Sequence, residues 1–265
     1  MLSDTRKHCA VGSMLLAMVA VVGVSPAAAS WILVDDFQTY ETGTYDSLGH
    51  WASSHETGGI AIVNVPTPDD PDNQAIRKQA GGHGTIYNTH PIFQIPQSPT
   101  PITLTFRIWS DSIGPADANI GLHTLADLAG NQRPIAAIKA RAGIEKGDDS
   151  QGDFTQAHPL ESGTWYWIWM VITNDDGTAN DTMDVYIQGG TGDYAEQTQL
   201  ASGLTFSADG GFNVFGQRNH VSAGPTYDML GIDLTGQNLT IIPEPATALL
   251  AGLGGAAMLF RRRRN

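Results

Sequence analysis

The sequence predicts an all-β domain, two antiparallel sheets packed as a sandwich or jelly roll, flanked by an N-terminal signal peptide helix and a C-terminal hydrophobic helix. Three observations carry this. Apolar runs of strand length recur from Trp31 to Leu234, Gly, Pro, Asn and Asp punctuate them, and sustained helical periodicity is almost absent between the two ends. Short strands joined by turn-rich loops bury their apolar faces by stacking sheet on sheet.

The expected strands are Trp31–Phe37, Ile60–Val65, Ala75–Gln79, Gly84–Asn88, Ile102–Ser110, Arg133–Ala140, Trp165–Thr173, Thr182–Gln188, Phe212–Phe215 and Thr226–Leu234. In "PITLTFRIWS", period-two alternation sends Ile102, Leu104, Phe106 and Ile108 to the core and Thr103, Thr105, Arg107 and Trp109 to the outer face. In "TMDVYIQ", Met183, Val185 and Ile187 point one way, while Asp184, Tyr186 and Gln188 point the other. Trp165, Trp167 and Trp169 share one face of "TWYWIWMVITN", and Tyr166, Ile168 and Met170 share the opposite one. A strand apolar on both faces belongs at the centre of a sheet. Asn174-Asp175-Asp176-Gly177 then reads as the turn that returns the chain into the Thr182–Gln188 strand.

Both ends read as targeting signals. Arg6 and Lys7 form a basic region, Val11–Val24 an apolar stretch and Ala27-Ala28-Ala29 an A-x-A site, so residues 1–29 are expected to be removed after Ala29. The single cysteine, Cys9, leaves with them. A mature chain without disulfides must draw its stability from core burial or bound metal. About 210 residues, numbers 30–240, remain for one β-sandwich domain, enough for a substantial core.

Residues 241–265 hold Pro243-Glu244-Pro245, a small and apolar run from Ala246 to Phe260, and Arg261, Arg262, Arg263 and Arg264. A helix of that run, at about 1.5 Å per residue, falls short of the roughly 30 Å hydrocarbon core. It therefore reads as a transient membrane stop, with the arginines held on the cytoplasmic side and the body outside. Triplet, apolar helix and arginine cluster, in that order, resemble the PEP-CTERM sorting signal of Gram-negative bacteria. The resemblance implies recognition and cleavage by a membrane-embedded exosortase, passage through the inner membrane, and delivery to the cell surface or extracellular matrix.

The whole chain carries a net charge of −13, and removal of both ends leaves eight basic against 25 acidic residues, about −17. Such a surface repels nucleic acid and anionic membranes, and it favours solubility and divalent cations.

"ILVDDFQTYETGTYDSLGHW", "GTWYWIWMVITN" with "DTMDVYIQGG", and "PTYDMLGIDL", in that order, resemble concanavalin A-like, laminin-G-type jelly rolls of bacterial surface proteins. The resemblance implies adjacent first and last strands and a curved sheet often used for carbohydrate binding. It also makes Asp35, Asp36 and Asp228 candidate ligands for a calcium ion between those strands, a hard cation that takes several oxygen ligands.

Catalysis is not expected. Laminarinase-type glycosidases of this fold place Glu-x-Asp-x-Glu on one strand face, where two carboxylates flank a glycosidic bond, and no such run occurs here. The strand patterns of jelly-roll polysaccharide lyases are also missing. For carbohydrate contact an aromatic face must lie beside polar groups, and Trp109 with Arg107, and Tyr186 with Asp184 and Gln188, have that composition, with Trp51 and Trp169 as further aromatics. His83 and His90 do not match a metal-ligand spacing and read as loop histidines. The expected protein is an exported, non-catalytic surface or matrix protein that contacts polysaccharide. A polysaccharide-cleaving enzyme of the same fold and a purely structural surface protein are the alternatives.

Overall fold

The computed structural model describes residues 31–54, 59–68, 70–79, 84–112, 118–124, 136–140, 144–146, 155–175, 181–206, 210–219 and 224–242. The expected signal peptide with Ala27 and Ala29, Cys9, His83, and the expected sorting residues Pro243, Glu244, Pro245 and Arg261–Arg264 lie outside them.

Seventeen strands are described: β1 (Ile32–Asp35), β2 (Gly43–Tyr45), β3 (Ser47–Leu48), β4 (Trp51–Ser54), β5 (Ile60–Asn64), β6 (Gln74–Lys78), β7 (Gly84–Asn88), β8 (Ser98–Trp109), β9 (Ala118–His123), β10 (Ala136–Ala140), β11 (Ile144–Lys146), β12 (Thr155–His158), β13 (Trp165–Asn174), β14 (Thr182–Gly189), β15 (Thr198–Thr205), β16 (Val214–Asn219) and β17 (Thr226–Asp233). Nine form one antiparallel sheet in the order β15-β14-β13-β8-β17-β6-β5-β2, with β1 also on β17. Eight form the second, β12-β11-β10-β9-β16-β7-β4-β3. The fold is a sandwich of two antiparallel sheets, and its first and last strands pair antiparallel, Ile32 opposite Ile232.

All ten expected strands have counterparts. Gly84–Asn88 coincides with β7, β8 starts four residues earlier than expected, and Phe212 makes only an isolated bridge to Ile95 before β16 begins. β13 lies between β8 and β14, as its two apolar faces require.

The two sheets meet through aromatic rings. Phe215 of β16 lies 6.0 Å from Phe106 of β8, 5.8 Å from Tyr227 of β17, 6.1 Å from Trp51 of β4 and 6.0 Å from Phe93. Ile102, Leu104, Phe106 and Ile108 join this core, as their alternation dictates. So does Trp51, only 1% exposed, which removes it from the surface aromatics.

The opposite face of β8 departs from expectation. Thr103, Thr105 and Arg107 are buried too. After β17 the chain turns back and lays residues 234–242 across this outer face as a strap. Thr103 Oγ1 donates to the Gly236 carbonyl at 2.9 Å and accepts from the Asn238 backbone N–H at 2.9 Å. Asn238 in turn donates to Asp233 and accepts from the Thr240 backbone N–H and hydroxyl. The Thr240 carbonyl accepts from the indoles of both Trp31 and Trp169 at 3.1 Å. Ile242 closes over Gly231, where an added Cβ would come within 2.3 Å of its Cδ1. Polar groups that alternation alone assigns to solvent are thereby hydrogen-bonded under a second layer of chain.

Candidate functional site

Register brings the two predicted sugar-facing groups onto one surface. Across the outer face of the nine-stranded sheet, Gln188 of β14 lies opposite Trp167 of β13, and Trp167 lies opposite Arg107 of β8. One step along, Tyr186 lies opposite Trp169, and Trp169 opposite Thr105. β13 separates the groups by two strand spacings, about 10 Å. Its odd-numbered tryptophans fill the interval.

The result is a continuous aromatic row. Trp109 and Trp165 approach to 5.4 Å between ring centroids, and Trp167 stacks on Trp169 at 6.1 Å. The Arg107 guanidinium joins the halves, 5.4 Å from the Trp165 ring and 5.6 Å from the Trp167 ring. Trp109, Trp165, Trp167, Tyr186 and Gln188 are half-buried, leaving part of each at the surface. Trp169 is fully buried because the strap covers it.

Arg107 itself is not a free surface group. It is 6% exposed, donates to Asp228 at 2.5 Å and to Asn73 Oδ1 at 3.2 Å. The expectation that it faces a ligand is corrected by this geometry: its cation is spent on Asp228 and on the two indoles. Burial raises the Asp228 carboxyl from its ordinary value to about 6, against the lowering effect of Arg107 and the Met229 backbone N–H. Met229 adopts φ 53° at a register shift between Asp228 and Gly231. Asp228 faces outward by alternation from Tyr227, and the bulge after it returns Leu230 to the core.

The other residues expected to face sugar hold local contacts. Asp184 Oδ1 accepts from the Gly203 backbone N–H at 2.7 Å. The Tyr186 hydroxyl accepts from Gln199 at 3.2 Å and from Gln237 of the strap at 3.4 Å. Gln188 donates to the Ala195 carbonyl at 3.4 Å.

The three calcium candidates are not brought together. Asp35 accepts from the Phe37 backbone N–H, the Tyr40 hydroxyl and the Trp51 indole, on the core side of β17, and burial raises its pKa. Asp228 lies on the outer side, engaged with Arg107, and Asp36 accepts from the Gln38 backbone N–H. These residues do not fit a calcium ion. Among the described residues no group of three or more His, Cys, Asp or Glu side chains is placed to hold a metal.

His90 serves the backbone. Its Nδ1 accepts from Ile92 N–H at 3.2 Å, capping the short 3-10 turn Pro91–Phe93, and its ring packs edge-on against His50 at 4.7 Å. Burial first, and His50 second, lower its pKa.

Sequence reasoning missed Trp165 and Trp167 as site residues. The signal was present, because their parity on β13 matches the outer-facing parity of β8 and β14 once the three strands are neighbours. The strap left no such signal. No helix among the described residues is long and apolar enough to cross a membrane.

No curated protein matches this chain. Among solved structures it resembles a protein of unknown function, SO2946, from Shewanella oneidensis MR-1, at 13% identity and TM-score 0.46, covering 74% of this chain and 84% of that one. It also resembles a GH131 β-glucanase catalytic domain from Podospora anserina, at 11% identity and TM-score 0.45, covering 73% and 87%. A third likeness is the exoplasmic/lumenal domain of VIP36 in its Ca2+/Man-bound form, at 10% identity and TM-score 0.38, covering 74% and 88%. Residues 242–264 match the PEP-CTERM protein-sorting motif.

Proposed function

We propose that this protein is exported across the inner membrane of a Gram-negative bacterium and contacts polysaccharide at the cell surface or in the extracellular matrix. The contact surface is the outer face of the nine-stranded sheet, at Trp109, Trp165, Trp167, Tyr186 and Gln188. One observation carries the reading: a row of half-exposed aromatic rings, fixed by strand register, with polar side chains along its edge. Apolar sugar faces stack on such rings while amide and hydroxyl groups take the sugar hydroxyls. Arg107 and Asp228 act beneath this row by fixing the indoles rather than by touching the glycan.

The sorting motif supports the remaining parts of the proposal. An exosortase-type enzyme processes the tail, residues 246–260 enter the inner membrane transiently, and the acidic body avoids nucleic acid. The protein acts without catalysis, a reading supported by the missing Glu-x-Asp-x-Glu run.

The test is a glycan panel presented to the intact chain with calcium and with chelator, scored for binding and for product release. Saturable, calcium-independent binding that Trp165→Ala and Trp167→Ala abolish supports the reading. Release of reducing or unsaturated sugar would replace it with an enzyme, and failure to bind any glycan would leave a structural surface protein.

A further inference from the structure

Among the described residues, the exposed large apolar side chains are Ile32, Leu33, Leu234 and Ile241, from 38% to 46% exposed. All four belong to β1 or to the strap. Register brings them to one corner of the sandwich. Ile32 lies opposite Ile232, two residues before Leu234, and Leu33 lies opposite Gly231, over which Ile242 closes. The Trp31 indole donates to the Thr240 carbonyl at 3.1 Å and to its hydroxyl at 3.0 Å. Ile241 is therefore held beside β1, between one contact on Trp31 and another on Gly231. Among the described strands β1 pairs with β17 alone, so these side chains flank an open edge.

The chain joins both of its long apolar segments to the body at this same corner. Val11–Val24 precedes Trp31, and Ala246–Phe260 follows Ile242 with only Pro243, Glu244 and Pro245 between. Four residue steps from Ile242 to Ala246 span at most about 14 Å, and seven from Val24 to Trp31 about 25 Å. A domain of this length has a radius of gyration of about 17 Å, so the tether at Ile242 is shorter than the body is wide. With either segment in a bilayer, this corner is the part of the body nearest the headgroups. Its chemistry suits that position, because aliphatic side chains beside a tryptophan with a satisfied N–H favour the interfacial zone. The carboxylates nearby are engaged, Asp35 by Tyr40 and Trp51, and Asp233 by Thr235 and Asn238. Asp36 lies past the end of β1 away from Trp31.

We propose that the corner formed by Ile32, Leu33, Leu234 and Ile241 is a membrane-docking surface that rests on the outer leaflet of the inner membrane while the tail is anchored. The inference rests on the entry of residues 246–260 into that membrane. It also orients the aromatic row. β17 runs from the corner at Asp233 to Thr226, seven steps or about 23 Å, and Trp109 lies opposite Thr226. Docking therefore holds the Trp109 end of the row away from the lipid and the strap end against it.

Fluorescence quenching by nitroxide lipids tests this on the intact chain in vesicles of phosphatidylethanolamine and phosphatidylglycerol. In a Cys9→Ser background, Ile241→Cys, Leu33→Cys, Ser162→Cys and Ala251→Cys each carry one polarity-sensitive label. Ser162 is the remote control: it is exposed and bonds Asp111, in the turn whose Ser112 accepts from the Thr226 N–H. Headgroup nitroxides should quench the labels at positions 241 and 33 several-fold more than the label at 162, with a blue shift that appears only on adding vesicles. Acyl-chain nitroxides should quench the label at 251. Quenching at 251 with none at 241 and 33 overturns the docking surface and leaves tail entry standing, whereas no quenching at 251 overturns tail entry and the docking surface with it. Equal quenching at 162 and 241 overturns the orientation. A blue shift at 241 and 33 before vesicles are added assigns the corner to the folded-back tail or to a second copy, and overturns the proposal as well.

Discussion

Arg107 and Asp228 close a 2.5 Å ion pair on the side of the nine-stranded sheet that faces away from the aromatic core, with side chains 8% and 0% exposed. They are directly opposed in the β8–β17 register, and the guanidinium then fans outward between Trp165 and Trp167. A buried charge pair thereby sets the spacing of two surface indoles. It links the last strand of the fold to the row proposed to meet the glycan.

Breaking this pair on one side is predicted to cost much more than replacing it whole. Arg107→Met leaves the Asp228 carboxylate buried without its counter-charge, a loss of about 3–5 kcal/mol. Arg107→Met with Asp228→Leu removes both charges and should recover most of that loss. Urea denaturation of the three proteins checks the order, and a double variant no more stable than Arg107→Met would show that the indoles depend on the guanidinium itself.

The pH dependence has an uncommon sign. Asp228 titrates near 6 in the fold against about 3.8 when unfolded, so the native state holds the proton more tightly. Its contribution to stability is fully present below the unfolded value and is lost as pH rises through about 6. Carboxyl-carbon NMR should show Asp228 titrating near 6, and Asp228→Asn should remove that component from the stability curve between pH 4 and 6.

The sandwich was legible because its strands obey a local rule. Ile102 to Ile108 alternate, and each lands in the core. The site was legible only by halves. Composition marked Arg107 with Trp109 and Tyr186 with Gln188, but their union depends on β13 lying between β8 and β14, a pairing of strands far apart in sequence. Burial of Arg107 was hidden for the same reason: Asp228 is 121 residues away, and parity alone cannot reveal that a strap covers an outward face. The calcium trio failed because Asp35, after a register shift in β1, turns to the core side against Trp51, while Asp228 faces outward to Arg107, and no residue type announces that shift.

Gly190 offers a direct probe of the loop between β14 and β15, whose Thr191 and Gly192 backbone N–H groups donate to the Glu161 carboxylate. Its φ of 68° and the 2.8 Å at which an added Cβ would meet the Tyr166 hydroxyl predict that Gly190→Ala destabilises the protein by about 1–3 kcal/mol. The cost falls on the loop that seats Glu161, so backbone amide shifts at Thr191 and Gly192 should change while those of β8 stay fixed. A variant with unchanged stability and unchanged Thr191 shifts would mean that the loop rearranges freely and that Glu161 is not held by it.

The strap carries the last prediction, because it joins the aromatic row to the sorting motif. Asn238 is 6% exposed and makes three side-chain hydrogen bonds, one to Asp233 and two from Thr240. Asn238→Ala removes all three, a loss of about 2–3 kcal/mol at the usual net value per bond. Much of this should appear as local release rather than global unfolding, since the strap lies outside the core. The Trp169 indole N–H, now donated to the Thr240 carbonyl, reports that release directly through its hydrogen-exchange rate. Faster exchange at Trp169 with little change at β9 or β16 is expected. Freed of the strap, Trp169 would extend the stacking row by one ring, so the same variant should bind polysaccharide more tightly if the row is the contact surface. The matched sorting motif begins at Ile242, which the strap packs over Gly231, so a loosened strap should also speed tail cleavage by the processing enzyme. Unchanged Trp169 exchange in Asn238→Ala would mean that the other strap contacts, through Thr103, Ile242 and the Trp31 and Trp169 indoles, hold it in place.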